Sequence, residues 1–232
     1  MESNNTSENM VPVLGYWAIR GLAQVPRYML VFAEVEFEEK QYTWGTAPDF
    51  DRGEWTSVKD NLGLEFPNLP YFIDGEVKMT ESSAITKHLA RRYNLLGSTE
   101  EEHIRVDMAE GIIADILCAV STLCHDPEFE TKLVTFIENL DVSLLKLAKL
   151  IKNNSFVIGE KLTWVDFALF ELLEIYLAVA PDSLEKHPSL QAFHKRIREL
   201  PGVKEYRLSE QFRKIKCRFF SPEAMFGSGL KK

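Results

Sequence analysis

The first third of the chain switches repeatedly between the apolar spacing of a strand and that of a helix. Val13–Trp17 is a short apolar run, as is typical of a buried strand, and residues 37–42 place Phe37 and Tyr42 among charged side chains, which indicates a second strand. Residues 21–33, between these two strands, carry apolar side chains at helical spacing. The pattern therefore predicts a β-α-β unit at the start of the chain.

The next segment has the pattern of a hairpin followed by a helix. Asp74-Gly75 separates two apolar runs within residues 71–79, and this dipeptide is a strong signal for a tight β-hairpin. Residues 82–93 then place apolar side chains on one helical face, and residues 54–61, before the hairpin, are compatible with a short helix. Residues 11–93 are thus predicted to form an α/β domain with the order β-α-β-α-β-β-α.

The pattern changes after a polar, glycine-containing break at residues 94–98. Thr99 followed by Glu102 is a capping box, and from there to about residue 200 the pattern predicts successive helices without a hairpin signal. We therefore expect an all-helical domain over residues 99–232. Residues 1–10 are polar and are expected to form a disordered extension.

One helix start in the second half is unusually complete. Thr163 can cap a helix, and the side chain of Asp166 can accept a hydrogen bond from the Thr163 amide. Leu162 and Phe167 occupy the two positions of a hydrophobic staple. We interpret this motif as a cap worth about 1 kcal/mol, without chemistry of its own.

The composition of the chain argues against several classes of protein. The chain has 232 residues, of which 45% are hydrophobic, and its net charge of −8 leaves no basic excess to meet a nucleic acid. The three cysteines are odd in number and lack CxxC spacing, which argues against a disulfide framework or a zinc site and favours a reducing compartment. Neither a signal peptide nor an apolar stretch of about 20 residues occurs. We expect a soluble cytoplasmic protein with no metal and no membrane or nucleic-acid partner.

Four segments resemble the Mu class of the cytosolic glutathione transferases, in the same order as in that family. They are residues 14–21 (LGYWAIRG), 45–52 (GTAPDFDR), 66–71 (FPNLPY) and 163–166 (TWVD). These resemble, in turn, the tyrosine-bearing first strand, the extra loop of the class, the segment that holds the glutathione backbone, and the helix cap. The resemblance implies a thioredoxin-like N-terminal domain, an all-α C-terminal domain, and conjugation of glutathione, the co-substrate, to hydrophobic electrophiles in detoxification.

The implied reaction needs a thiolate, and the resemblance assigns its formation to Tyr16. A cysteine thiol has a pKa of about 8.5, so only a few per cent is ionised at pH 7. Lowering this pKa by about two units takes about 2.7 kcal/mol, and a hydrogen bond to a charged group contributes about 1.5–3 kcal/mol. The Tyr16 hydroxyl would donate that bond. On spacing alone, a structural core tyrosine is the simpler interpretation.

The resemblance also implies a set of glutathione anchors. Ser82 and the following helix amides would bind the γ-glutamyl carboxylate, and the Leu69 backbone would pair with the cysteinyl backbone, with Pro70 in cis. Trp55 and Lys59 would share one face of a short helix and hold the glycine end, unless they form an ordinary helix face. The remaining members of the set are Trp17, Leu22 and Asn68.

Three further positions carry less direct predictions. Glu81 stands where the class usually has glutamine; it suits the α-amino group of glutathione but repels its carboxylate, so we expect altered binding. His125 replaces a second tyrosine of the electrophile pocket, where its proton donation depends on pH because its ordinary pKa is about 6.5; a surface histidine is the alternative. Asp115 matches an aspartate that reaches the glutathione of the neighbouring subunit, with a solvated helical charge as the alternative.

The expectation of a homodimer rests on Phe66. In the family this aromatic side chain inserts into a pocket of the partner subunit, which implies a two-fold dimer; packing inside its own domain is the alternative. Two other functions remain open at this point. One is a non-catalytic carrier of hydrophobic ligands or a structural protein of the same fold, and the other is a glutathione-dependent isomerase.

Overall fold

The first half of the protein is built on a four-stranded mixed sheet. A computed structural model describes residues 11–229, so the predicted extension at residues 1–10 lies outside the described residues. The sheet order is β2-β1-β3-β4, with β1 parallel to β2 and antiparallel to β3, and β3 antiparallel to β4. The strands are β1 (Val13–Trp17), β2 (Glu38–Tyr42), β3 (Tyr71–Asp74) and β4 (Val77–Thr80). The predicted crossover unit and hairpin are confirmed.

Three helices accompany this sheet. They are α1 (Gln24–Phe32), α2 (Gly53–Thr56) and α3 (Ser82–Arg92). The helix predicted over residues 21–33 begins with a 3-10 turn at Gly21–Ala23 before α1. The apolar faces of sheet and helices bury Leu14, Leu30, Phe72 and Leu89 completely.

The single helix predicted over residues 54–61 is wrong. α2 ends at Thr56, and a separate 3-10 turn spans Lys59–Asn61. Thr56 and Val58 are β-branched, which lowers helix propensity, and Val58 packs against the hydrophobic core instead of continuing the helix. Trp55 and Lys59 therefore do not share a face of one helix.

From Glu100 onward the described elements are helices. They are α4 (Glu100–His125), α5 (Phe129–Glu138), α6 (Leu140–Ile151), α7 (Trp164–Val179), α8 (Pro188–Arg198), α9 (Val203–Leu208) and α10 (Glu210–Ile215). The predicted capping box opens α4, with the Glu102 amide 3.2 Å from Thr99 Oγ1 and the Thr99 amide 3.4 Å from Glu102 Oε2. The last two helices extend beyond the predicted helical region. The domain limits 11–93 and 99–232 stay a prediction.

The start of α7 is more extensive than a simple cap. The Thr163 amide donates to Asp166 Oδ2 at 2.7 Å, and the Val157 amide donates to Asp166 Oδ1 at 2.8 Å. Burial raises the pKa of Asp166 to about 6, although the hydrogen bonds from Val157 and Thr163 act to lower it. One carboxylate thus fixes both the helix start and the loop before it.

The two halves of the molecule pack together through α1 and α7. The ring of Tyr28 on α1 is fully buried, with its centroid 6.3 Å from that of Phe167 and 5.4 Å from that of Phe170 on α7. Arg20, just before α1, forms a buried ion pair with Glu171 of α7. This junction places the end of β1 next to the central helix of the second half.

Candidate functional site

A cavity of about 550 Å³ opens between the sheet and the helical half. Its walls come from the turn after β1, the start of α3, the middle of α4, one side of α7 and residues 219–221. The wall formed by α4 and α7 is largely apolar and includes Ile113, Leu117 and Leu172. Five predicted site residues line the cavity, namely Tyr16, Trp17, Leu22, Ser82 and His125.

Tyr16, the penultimate residue of β1, contributes a phenol to this cavity. Its hydroxyl oxygen accepts a hydrogen bond from the Leu22 amide at 3.2 Å, and no acceptor within residues 11–229 takes the phenolic proton. Burial raises the pKa of Tyr16, whereas the Leu22 hydrogen bond and the charge of Arg27 lower it. The phenol therefore stays neutral near pH 7 and keeps a proton to donate.

The turn between Tyr16 and α1 requires glycine at position 21. Gly21 has a φ of +41°, and a Cβ atom built there would lie 2.7 Å from the Tyr16 hydroxyl oxygen. Glycine has no side chain to collide with the phenol and tolerates positive φ. The backbone can therefore pass directly against the hydroxyl and bring the Leu22 amide into reach.

Four predicted residues meet at the start of α3. Ser82 is the first residue of α3, and the Asn68 side chain donates to Glu81 Oε1 at 3.1 Å. The Leu69 amide donates to Asn68 Oδ1 at 2.9 Å, so a ligand that pairs with this amide has to displace the Asn68 side chain. The bond between Leu69 and Pro70 is cis, as predicted.

His125 is the last residue of α4 and lies at the edge of the cavity. Its Nδ1 donates to the Ser121 carbonyl at 2.8 Å, and its Nε2 lies 3.4 Å from the Ser221 hydroxyl. With the proton on Nδ1, the neutral ring is an acceptor at Nε2. In this arrangement Nε2 faces the Ser221 hydroxyl as an acceptor.

The C-terminal segment closes one side of the cavity through Phe219, Phe220 and Ser221. The amides of Arg20 and Gly21 donate to the carbonyls of Arg218 and Phe219 at 2.7 and 3.1 Å. The C-terminal segment is thus hydrogen-bonded to the turn that leads to Leu22, whose amide donates to the Tyr16 hydroxyl. No local sequence pattern marks this contact, because it joins irregular segments about 200 residues apart.

Comparison with protein-family models matches the chain twice. Residues 12–91 match the model described as "Glutathione S-transferase, N-terminal domain", and residues 114–210 match "Glutathione S-transferase, C-terminal domain". Glutathione S-transferase 2 of Gallus gallus is 42% identical over 205 residues, which cover 88% of this chain and 93% of that protein. The chain belongs to the glutathione transferase family.

Further similarities agree with this assignment and with the Mu class. Glutathione S-transferase Mu 3 of Homo sapiens is 42% identical over 203 residues, which cover 88% of this chain and 90% of that protein. The crystal structure of the glutathione S-transferase Blo t 8 has 38% sequence identity and a TM-score of 0.83, over 93% of this chain and 99% of that chain. The predicted fold and the predicted enzyme class, a Mu-like glutathione transferase, are confirmed.

Trp55 and Lys59 of this glutathione transferase lie outside the cavity lining. Trp55 is only 7% exposed, and its ring centroid lies 5.3 Å from that of Tyr42 and 6.0 Å from that of Tyr71. The indole therefore packs in the core of the sheet half. Lys59 is half-exposed at the start of the 3-10 turn.

Arg52 and Trp44 are among the cavity-wall residues that sequence reasoning missed. Arg52, directly before α2, lines the cavity and forms an ion pair with Glu223 at 3.3 Å. Trp44 also lines the cavity and stacks on Trp17, with ring centroids 4.2 Å apart. The available signal was their position in or beside the GTAPDFDR segment, which marks the extra loop of the Mu-like transferases.

Two predicted residues of the glutathione transferase lie on the surface away from the cavity. Asp115 is exposed on α4, and the side chain of Phe66 is 69% exposed. The alternative that Phe66 packs inside its own domain is therefore wrong.

The described part of the chain has no group of three His, Cys, Asp or Glu side chains that could hold a metal ion. Within residues 11–229, no helix combines the length and apolarity needed to cross a bilayer.

Proposed function

We propose that this glutathione transferase forms the glutathione thiolate with Tyr16 and adds it to hydrophobic electrophiles in the cavity. The observation that carries the proposal is the Tyr16 hydroxyl, which accepts from the Leu22 amide at 3.2 Å and keeps its own proton at the cavity wall. Because the hydroxyl hydrogen-bonds to the charged form of the sulfur, it lowers the thiol pKa. The raised pKa of Tyr16 keeps the group a donor and prevents it from acting as a base.

The residues at the start of α3 support an anchor for the γ-glutamyl end of glutathione. α3 has eleven residues and begins at Ser82. The backbone amides of its first turn have no partner within the helix, and together with the Ser82 hydroxyl they can bind a carboxylate. Glu81 suits the α-amino group next to that carboxylate, and its bond to Asn68 holds it in place. We assign the Leu69 backbone to the cysteinyl unit, which then replaces the Asn68 side chain at the Leu69 amide.

The glycine end of glutathione needs a cation near the cavity mouth. Arg52 lines the cavity, and Lys59 lies in the next turn of chain. We assign these two cations to the glycyl carboxylate, with Trp17 and Leu22 as walls of the site. Trp55 then supports the site from behind, by packing against Tyr42 and Tyr71.

The apolar wall of α4, α7 and the C-terminal segment supports hydrophobic electrophiles as the second substrate. Phe219 and Phe220 extend this wall, and His125 faces its edge. Phe220 lies edge-on to His125 with ring centroids 5.4 Å apart. An electrophile bound against this wall would lie in the same cavity as the Tyr16 hydroxyl, where the thiolate can attack it.

We also propose a two-fold homodimer in the cytoplasm. Phe66 is 69% exposed, so its ring is free to pack against a partner surface. In such a dimer, Asp115 on the exposed face of α4 would approach the glutathione of the neighbouring subunit. Cys118 and Cys217 are exposed free thiols, which suits a reducing compartment.

The experiment is Tyr16→Phe, assayed by retention on a glutathione matrix and by conjugation of glutathione to chlorodinitrobenzene. Loss of a hydrogen bond to a charged group, about 1.5–3 kcal/mol, lowers kcat at pH 6.5 about 10- to 100-fold. The pH profile should move towards the free thiol pKa of about 8.5, while glutathione affinity stays within about twofold because the anchors are untouched.

Tyr93→Phe is the matched control, since Tyr93 directly follows α3 and lies outside the cavity lining, so the substitution should not change the rate. An unchanged rate and pH profile in Tyr16→Phe would remove Tyr16 from the mechanism. Retention of the wild-type protein without any conjugation would instead support the ligand-carrier alternative.

A further inference from the structure

Arg20 is a fully buried cation four residues after Tyr16. Its side chain is 1% exposed, and its Nε donates to Glu171 Oε1 at 2.8 Å while a terminal nitrogen binds Glu171 Oε2. The other terminal nitrogen donates to the Lys216 carbonyl at 3.1 Å. One side chain therefore joins the turn after β1 to α7 and to the chain that leads into the C-terminal segment.

The backbone of the same turn is held on both sides. The Arg20 and Gly21 amides donate to the Arg218 and Phe219 carbonyls, and Arg27 Nη1 donates to the carbonyls of Ile19 and Arg20 at 2.8 and 3.0 Å. These bonds leave the turn little freedom to move. The next amide along the chain is that of Leu22, which donates to the Tyr16 hydroxyl.

Arg20 belongs to a cluster of positively and negatively charged side chains that pair with one another. Glu171 and Glu174 face it from α7, the latter at 3.4 Å, and Tyr28 of α1 lies 3.3 Å away through its hydroxyl. Arg207 of α9 binds Glu174 at 2.8 Å, and His194 of α8 binds the other Glu174 oxygen at 2.7 Å. Burying a guanidinium is tolerable only because these carboxylates pair with it.

The bond from Leu22 affects the strength of Tyr16 as a donor. A hydroxyl whose oxygen accepts a hydrogen bond becomes a better donor of its own proton, because bonds in a chain polarise one another. The alignment of the Leu22 amide therefore bears on how well the phenol holds a thiolate. That alignment depends on the turn that Arg20 fixes.

We propose that Arg20, locked by Glu171, is a positioning residue that keeps the Leu22 amide on the Tyr16 hydroxyl and thereby aims the phenol at the glutathione sulfur. This inference rests on the proposed role of Tyr16. It also makes α7 and the C-terminal segment part of the thiol-activating apparatus, although neither touches the sulfur. Lysine cannot replace Arg20, because a single ammonium does not reproduce the bidentate pair and the Lys216 contact together.

The test measures the thiol pKa of enzyme-bound glutathione, from thiolate absorbance, in wild type, Arg20→Lys and Glu171→Gln. We expect this pKa to rise by about 0.5–1 unit in both variants, which is about 3- to 10-fold less thiolate below the pKa. kcat/KM at pH 6.5 should fall by the same factor and recover at high pH, while the Kd for glutathione stays within about twofold.

The sign of the Glu171→Gln effect separates positioning from simple electrostatics. Removing a negative charge from the cavity wall would, through space, stabilise the thiolate and lower the thiol pKa. A positioning role for Arg20 predicts instead that the thiol pKa rises in Glu171→Gln. Glu171→Gln keeps the shape of the side chain, so it carries the test even if Arg20→Lys does not fold.

Arg105→Lys is the control for a purely structural loss. Arg105 on α4 donates to the Leu150 and Val157 carbonyls at 2.6 and 3.3 Å, far along the chain from Tyr16. It should lower the unfolding temperature without moving the thiol pKa. An unchanged or lowered thiol pKa in folded Glu171→Gln overturns the inference. If instead the wild-type thiol pKa is not depressed, or Tyr16→Phe does not raise it, the proposed role of Tyr16 fails first.

Discussion

Glu174 on α7 is a mostly buried carboxylate that neighbouring cations keep ionised. Its oxygens bind His194 at 2.7 Å and Arg207 at 2.8 Å. Burial alone would raise its pKa, but the hydrogen bond from His194 and the charges of Arg207 and Arg20 together lower the pKa to about 2. The folded protein therefore favours the ionised form much more strongly than the unfolded chain does.

Glu174→Gln should lower the free energy of unfolding at neutral pH by about 3 kcal/mol, because the folded pKa of about 2 lies well below the ordinary 4.5. A depressed acid pKa stabilises the fold fully above the unfolded pKa, and this contribution disappears as the pH falls from 4.5 towards 2. Urea unfolding at pH 7, 4 and 3 should therefore show a shrinking difference between variant and wild type.

Glu210→Gln is the control at this scale. Its carboxylate is exposed and pairs only loosely with Lys214, at 3.5 Å. Exposed pairs of this kind contribute about 0–1 kcal/mol, so unfolding should barely change at any of the three pH values. A pH-independent loss in Glu174→Gln would show that its charge is not what stabilises the fold.

At the scale of the element, α7 depends on the carboxylate at its start. Asp166 is fully buried and satisfies two backbone amides, those of Thr163 and Val157. Asp166→Ala leaves both donors buried and unpaired, at about 1–3 kcal/mol each. We expect the free energy of unfolding, measured with urea, to fall by about 2–4 kcal/mol.

The contrast at this scale is Asp126→Ala. Asp126 also accepts from a backbone amide near a helix start, that of Glu128 at 2.8 Å, but it lies at the surface. Water can replace that bond, so the loss should be about 1 kcal/mol. Equal losses in the two variants would mean that the buried network of Asp166 adds nothing beyond an ordinary cap.

At the scale of the whole molecule, the exposed apolar side chains bear on assembly. Besides Phe66, exposed apolar side chains occur on α4 and α6, namely Ile104, Met108, Val142 and Leu145. Phe66→Ala should weaken the proposed dimer at least about 30-fold, because central aromatic anchors contribute about 2 kcal/mol or more. Sedimentation velocity across a dilution series would show the shift from dimer to monomer.

Leu208→Ala provides the matched comparison for Phe66. Leu208 is similarly exposed but lies on α9, and its truncation should leave the sedimentation coefficient unchanged. A wild-type protein that stays monomeric at micromolar concentration would contradict the dimer. A dimer unaffected by Phe66→Ala would place the interface on another surface.

Much of the fold follows from short-range patterns in the chain. β1, the hairpin at Asp74-Gly75 and the capping box at Thr99 each depend on neighbours within a few residues, so periodicity and turn chemistry identify them. The helix predicted over residues 54–61 was wrong for a related reason. The packing of the partly buried Val58 against the core, which helical spacing does not reveal, competes with helix continuation there.

The sequence by itself determined the order of the elements, the family resemblance and the place of Tyr16 at the end of β1. Only the tertiary structure decided which residues meet around that phenol. Arg20 and Glu171 are 151 positions apart, and the Arg20 amide meets a carbonyl of the C-terminal segment. Such contacts have no period along the chain, because they arise when whole faces bury apolar surface together and the enclosed charges must then find partners.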